Sequence, residues 1–243
     1  YFHPNEIVAG RKIMTEWVRK VYRAVKRSGR KRELAIRIPA SIEGCYGVGM
    51  DVKTWLKEGL VDVLIGQAFS GPELLDSTID FRPLIKAAKG TKCRVHAALQ
   101  SHVDSDRLGE ATIEMVRGAA SNYWAQGVDG IYLAHWFGNW PYQASFYEKL
   151  RELPYPEIMA ARDKIYYVPT VTGRYPEPAT EPGMGMQLPA YLEKGRKAKV
   201  SLSISDDLKR WGKVGRVHEV LLRVRVMGHT ERDRLRFIFN GRE

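Results

Sequence analysis

Cysteine is almost missing: Cys45 and Cys93 are the two thiols in 243 residues. Two cysteines make no disulfide framework, and both read as free. Long apolar runs are missing too. None approaches the roughly 20 residues that a helix needs to cross a bilayer, so no membrane span is expected. Acid is in short supply: 28 Asp and Glu against 39 Lys and Arg leave a formal net charge of +11. No charged-then-apolar leader opens the sequence, which leaves the compartment undecided.

What is present is enough apolar matter, 44% of the residues, for one large core or for a core plus a smaller module. Much of the positive charge is concentrated. Between Arg11 and Arg32 there are ten Lys or Arg and one acid, Glu16. Arg19, Arg23, Lys26 and Arg30 recur at helical spacing opposite Met14, Trp17, Val18, Val21 and Val25. Such a stripe can bind phosphates, but no aromatics are interleaved with it, so it reads as the solvated face of an amphipathic helix and nucleic acid is not expected as a partner.

From residue 7 to about 135 helix-like and strand-like segments alternate. Residues 7–27 carry apolar positions at 3.6 spacing. "ELAIRIP" (33–39) is a short strand, and Asp51 can cap a helix through Leu56 that Gly59 ends. "LVDVLIG" (60–66) is a second strand, "FRPLIKAAKG" (81–90) a helix, and "CRVHAAL" (93–99) a third strand. A helix is expected over residues 106–126 with Ile113, Val116, Ala120 and Tyr123 inward, and "GIYLAHW" (130–136) is the fourth strand. The strands are short, apolar on both faces and separated by helices. That is the α/β pattern of a parallel sheet covered on both sides.

After residue 165 a Pro- and Gly-rich connector follows, and then a different pattern. "AKVSLSIS" (198–205), "HEVLLRVRVMG" (218–228) and "DRLRFIFNG" (233–241) read as strands, with Val220, Leu222, Val224 and Val226 alternating against Arg223 and Arg225. They predict antiparallel sheet, a β-sandwich segment. Asn240-Gly241 predicts a hairpin turn, which leads us to expect a partner strand beyond it.

Three phrases carry a resemblance: a strand ending Arg37-Ile38-Pro39, the run Asp51, Trp55, Gly59-Leu60-Val61-Asp62, and Gly127–Leu133 within "YWAQGVDGIYLAHWF". In this order and spacing the chain resembles the family-10-like glycosyl hydrolases, (β/α)8-barrel proteins with an accessory β-sandwich. The resemblance covers residues 1 to about 168. It implies that Tyr1 follows barrel strand four, that the strands above are five to eight, and that half of the barrel precedes them. The implied domains are a barrel half (1–168), a connector (169–197) and a partial sandwich (198–243). A poly- or oligosaccharide substrate, no cofactor and a secreted or periplasmic location go with it.

Barrel enzymes place their sites at the carboxyl ends of the strands. The four ends here collect Glu43 and Tyr46; Gln67, Phe69 and Glu73; Gln100, His102 and Asp104; and His135, Trp136 and Trp140. Aromatic faces stack on the C–H-rich faces of sugars, while amides, acids and imidazoles bond the hydroxyls. The aromatic cluster after residue 134 is therefore expected to be a sugar platform, or else a plug of the barrel mouth. Arg37, in a strand covered on both faces, must be paired or lie at the rim. It either pairs with an interior acid or holds substrate or a catalytic carboxylate. Asp62 and Asp129 lie near strand beginnings and read as structural. His96, His102 and His135 come from different strands without ligand spacing, so no metal is expected.

Glycoside hydrolysis by general acid and base needs two carboxyls. The related barrel clan uses Glu at strands four and seven. Here strand seven ends Leu99-Gln100-Ser101-His102, and Gln100 cannot replace a carboxylate, so that double-displacement scheme does not carry over. Glu43, Glu73 and Asp104 remain as candidate catalytic acids, Glu43 first. The alternative is a carbohydrate-binding barrel that lacks the full acid pair.

Overall fold

The computed structural model describes residues 3–27, 31–68, 74–104, 108–134, 144–170 and 187–242. The chain divides into two compact units, Tyr1–Asp206 and Asp207–Glu243. The first holds an α/β arrangement of six strands and seven helices among its described residues. These are α1 (Ile7–Arg27), β1 (Ala35–Pro39), α2 (Ile42–Gly47), α3 (Val52–Lys57), β2 (Val63–Gln67), α4 (Arg82–Ala88) and β3 (Arg94–Leu99). There follow β4 (His102–Asp104), β5 (Leu108–Glu110), α5 (Ile113–Gln126), β6 (Gly130–Leu133), α6 (Ala144–Glu152) and α7 (Pro156–Met159).

β1, β2, β3 and β6 form one sheet in that order, and every pairing is parallel. Each strand lies beside the next one in the main sheet, so the winding never reverses. Parallel neighbours need a crossover, and the helices supply it. Alternation then sends successive side chains to opposite faces. One face, with Ile38, Leu64, Val95, Ala97 and Leu99, packs against Val18 of α1, Trp55 of α3, Leu84 of α4 and Val116, Ala120 and Tyr123 of α5. On the other face Val63, Ile65, Ala98 and Ala134 form a separate buried cluster with Tyr132 against it, and no helix residue joins it. Both faces of the sheet thus carry buried residues, as the sequence predicts, with the described helices packed on one of them. Strands apolar on both sides signal two contacts, but the second need not be a helix.

Local signals set the element ends. The Asp51 carboxylate accepts from Thr54 N at 3.1 Å and starts α3. Gly127 closes α5, which begins at Ile113 rather than near residue 106. Leu108–Glu110 of that expected helix instead form β5, which pairs antiparallel with β4 and sets His102 beside Glu110. No helical apolar repeat precedes Ile113, and Thr112 sits in extended backbone at the N-cap.

The basic stripe of α1 faces solvent, and two of its cations are paired. Arg19 grips Glu58 in a two-pronged pair at 2.6 Å, and Lys26 reaches Asp62 at 2.8 Å. Arg23 is exposed, and Arg30 lies outside the described residues. Trp17 is not on the apolar face: it is 57% exposed, while the adjacent Val18 is 1% exposed. Adjacent helical residues point about 100° apart, so one buried position does not carry its neighbour inward.

Asp62 and Asp129 tie strand beginnings together. Asp62 accepts the Leu34 N–H at 2.7 Å, and Asp129 accepts the Val95 N–H at 2.8 Å. Burial pushes the Asp62 carboxyl upward, but the Leu34 amide and the Lys26 ammonium outweigh it and hold it below the usual carboxylate range. A depressed folded-state value stabilises the fold above the unfolded value, near pH 4, and that contribution fades as pH falls through the folded one. Asp62→Asn should therefore cost about 1–2 kcal/mol at pH 7. In urea titrations its deficit should shrink towards pH 3; a deficit independent of pH would remove the charge from the explanation.

Both cysteines are free: Cys45 is buried and hydrogen-bonded to Pro39 O at 3.3 Å, and burial pushes the Cys93 thiol up to about 11. In the second unit α8 (Leu208–Lys213) is capped by Asp207, whose side chain accepts from Arg210 N. The turn at Asn240-Gly241 forms, with φ of 49° and 79°, and Phe239 and Arg242 bridge across it. The strands expected over residues 198–205, 218–228 and 233–241 do not form a ladder. Val220, Leu222 and Val224 are each more than half exposed. Alternation supplies two faces, but a strand also needs a second backbone to complete its hydrogen bonds.

Candidate functional site

Because the four strands run parallel, their carboxyl ends share one edge of the sheet. Main-chain bonds join the tips directly: Ala40 N donates to Gln67 O at 2.9 Å, and Ala134 N donates to Leu99 O at 2.9 Å. The Gln100 amide donates from Nε2 to Ala68 O at 3.2 Å, linking the ends of β3 and β2. Gln67 and Gln100 are both buried, at 2% exposure each.

Glu43 stands exposed in the first turn of α2, where Ser41 caps the helix by accepting from Gly44 N at 2.9 Å. Tyr46, three residues on, does not join the sheet face of Arg37 and Gln67. It packs with the helix-side core, with the Arg11 guanidinium 5.0 Å and the Lys53 ammonium 5.9 Å from its ring centre. Burial, reinforced by the charge of Asp51, pushes its phenol upward. This corrects its placement as a sugar contact: the helix turns its ring outward, towards α1 and α3.

His102 opens β4, half-buried, with its Nδ1 2.6 Å from Ser101 Oγ and its main-chain oxygen taking the Leu75 N–H. Asp104 ends β4, and its side chain lies outside what is described. Phe69, Glu73, His135, Trp136 and Trp140 also lie outside the described residues.

Arg37 is exposed, on the face that no helix covers. Pro39 on the same face and Ile65 beside Arg37 are buried, so the face is covered there, and Arg37 lies towards the uncovered start of β1 with its charge solvated. Register places Arg37 beside Ile65, Ile65 beside His96, and His96 beside Gly130. In the next row Pro39 lies beside Gln67. The Oε1 of Gln67 has no hydrogen-bond partner.

His96, which the sequence reading weighed for metal alone, lies on the same sheet face as Arg37. Its ring lies against Gly130 so closely that a methyl group added there would come within 2.8 Å. Burial, and then the charge of Arg94, hold its imidazole below the usual value, so it is neutral near pH 7. Asp76, next to Leu75, is a half-buried acid. Burial pushes its carboxyl upward, but Thr78 N and Oγ1 hold it in a local turn, as a structural side chain would be held. Among the described residues no three His, Cys, Asp or Glu side chains could hold a metal ion together. A cavity of about 530 Å³ lined by Lys26, Lys31, Arg32, Glu33 and Asp62 lies at the opposite edge, where strands begin.

No family model matches the chain, and no curated protein matches it.

Proposed function

We propose that the chain is a sector of a (β/α)8 barrel, followed by a β-sandwich segment, and that it acts on glycans as a glycoside hydrolase. One observation carries the reading. The parallel sheet is wound in sequence with its described helices against one face, so four carboxyl ends meet at one edge. A barrel presents its substrate site there. Buried amides at Gln67 and Gln100 suit hydroxyl recognition, and the resemblance to family-10-like glycosyl hydrolases points the same way. In this reading Glu43 gives or takes the proton at the glycosidic oxygen, and Glu73 or Asp104 supplies the second carboxyl.

A second reading, a carbohydrate-binding barrel without turnover, is favoured by one fact: β3, strand seven of the resemblance, is followed by Gln100 where the related barrel clan carries Glu. Release of reducing ends from a panel of oligo- and polysaccharides separates the two. Glu43→Gln should lower turnover by about 100-fold or more, the usual cost of losing an acid–base group. Unchanged turnover would strike Glu43 from the catalytic list, and wild-type binding without turnover would establish the second reading.

A further inference from the structure

We propose that the cavity where the strands begin binds a phosphate monoester of a small polar molecule, with Lys31 and Arg32 taking the phosphate group. It lies at the edge opposite the strand tips, so it is separate from the glycan site proposed above. About 530 Å³ in volume, it is lined by Lys26, Lys31, Arg32, Glu33 and Asp62. Both acids of the lining already have cations. The Lys26 ammonium donates to the two Asp62 oxygens at 2.9 and 2.8 Å, and Arg94 lies 2.5 Å from Glu33. Lys31 and Arg32 are exposed, and neither has an ion-pair partner among the described residues. Two unmatched cations side by side call for two negative charges. A carboxylate brings one, whereas a phosphate monoester brings about 1.5–2 at pH 7 with three acceptor oxygens. A guanidinium fork can hold two of those oxygens and an ammonium the third. No aromatic ring lines the cavity for a base to stack on, which speaks against a nucleotide. Five charged side chains around it favour a polar body, such as a polyol or a sugar.

The second observation is that the main chain carrying these cations is held in place. Lys26 Nζ donates to Arg32 O at 2.9 Å, and Leu34 N donates to Asp62 Oδ2 at 2.7 Å. Leu34 O in turn accepts from Asp62 N at 3.0 Å and from Val63 N at 3.2 Å. The stretch from Arg32 to Leu34 is thus tied to α1 on one side and to the start of β2 on the other. A ligand need order only two side chains, which keeps the entropy loss on binding small. The carboxyl end of α1 is also close, and its dipole would repel an anion. Lys26 and Arg27 form the last turn there and offset it.

The test is calorimetric titration of the full chain with glucose 6-phosphate, glucuronate and glucose at one ionic strength. Wild type should bind one glucose 6-phosphate per chain, at least tenfold more tightly than glucuronate, and should not be saturated by glucose. Replacing both cations, Lys31→Ala with Arg32→Ala, should weaken glucose 6-phosphate tenfold or more, since two charged hydrogen-bond donors are lost. Lys12→Ala with Lys20→Ala removes the same charge from the exposed side of α1 and should leave the affinity unchanged. The Arg32 main-chain oxygen that holds Lys26 survives the substitution, so thermal melts of the first pair should match wild type. If they do not, Lys31→Gln with Arg32→Gln is read in the same titration. Equal affinity for glucose 6-phosphate and glucuronate overturns the phosphate preference and with it the inference. Equal loss in the two alanine pairs overturns the site, because the net charge of +11 then explains the binding. So does the absence of saturable binding at millimolar glucose 6-phosphate.

Discussion

Trp55→Ala should lower the stability of the first unit by about 3–5 kcal/mol, the usual loss when a large buried side chain is truncated. Trp55 is 0% exposed and packs in the layer between the helices and the sheet. Its indole N–H donates to Thr15 Oγ1 at 3.0 Å, so truncation also leaves a buried hydroxyl of α1 without that partner. Trp55→Phe keeps most of the volume and loses the hydrogen bond, so it should cost less, about 1–2 kcal/mol. Urea unfolding of the two variants gives both numbers. A cost below about 1 kcal/mol for Ala would mean that the pocket collapses around the smaller residue.

The same residue shows what the motif-level resemblance is made of. In the run from Asp51 to Asp62, Asp51 caps α3 and Trp55 fills the core. Gly59 takes a φ of 64° that a side chain would strain, and Asp62 ties β2 to residue 34 and to α1. Every recurring letter of that phrase has a folding job. The phrase argues for an architecture, and the chemistry must be argued from the strand ends.

Arg117→Met should be as damaging, by about 3–5 kcal/mol, because it leaves the buried Glu152 carboxylate with only the exposed Arg162 at 3.8 Å. Arg117 is 6% exposed on α5 and Glu152 is 5% exposed on α6, with Nε 2.5 Å from the carboxylate. Glu148 at 3.3 Å and Glu114 at 4.0 Å surround the same guanidinium. Replacing both partners, Arg117→Met with Glu152→Leu, should recover most of the loss, since no unpaired charge then remains in the interior. Denaturant titration of the single and double variants decides it. A double variant as unstable as the sum of its parts would show that the two side chains act independently.

Arg117 also marks a limit of reading periodicity. Ile113, Val116, Ala120 and Tyr123 were legible as the inward face of α5 because they are apolar, and Val116, Ala120 and Tyr123 are buried to 1% or less. Arg117 occupies the same face, one residue from Val116 and three from Ala120. Its charge hid it, because its partner lies 35 positions away on another helix. Tyr46 failed in the opposite direction. An aromatic just past a strand end suggested a sugar contact, but the turn of α2 carries it to Arg11 and Lys53.

The sequence announced α1, α3, α4, most of α5 and the caps, because those features close hydrogen bonds within a few positions. It announced the four strands of the main sheet by their apolar runs, and it did not announce α2, β4 and β5. Asp51 meets Thr54, and Asn240 and Gly241 adopt positive φ in place. The face of each strand that helices would cover was not written there, since the strands are apolar on both sides and alternation offers no contrast. Three-dimensional pairing made that choice. It set Arg37 beside Ile65 and Pro39 beside Gln67, left their face without helices, and gave residues 218–228 no ladder despite their alternation. The physical reason is that a face or a ladder is a relation between two segments, and one segment's residues encode only its own half.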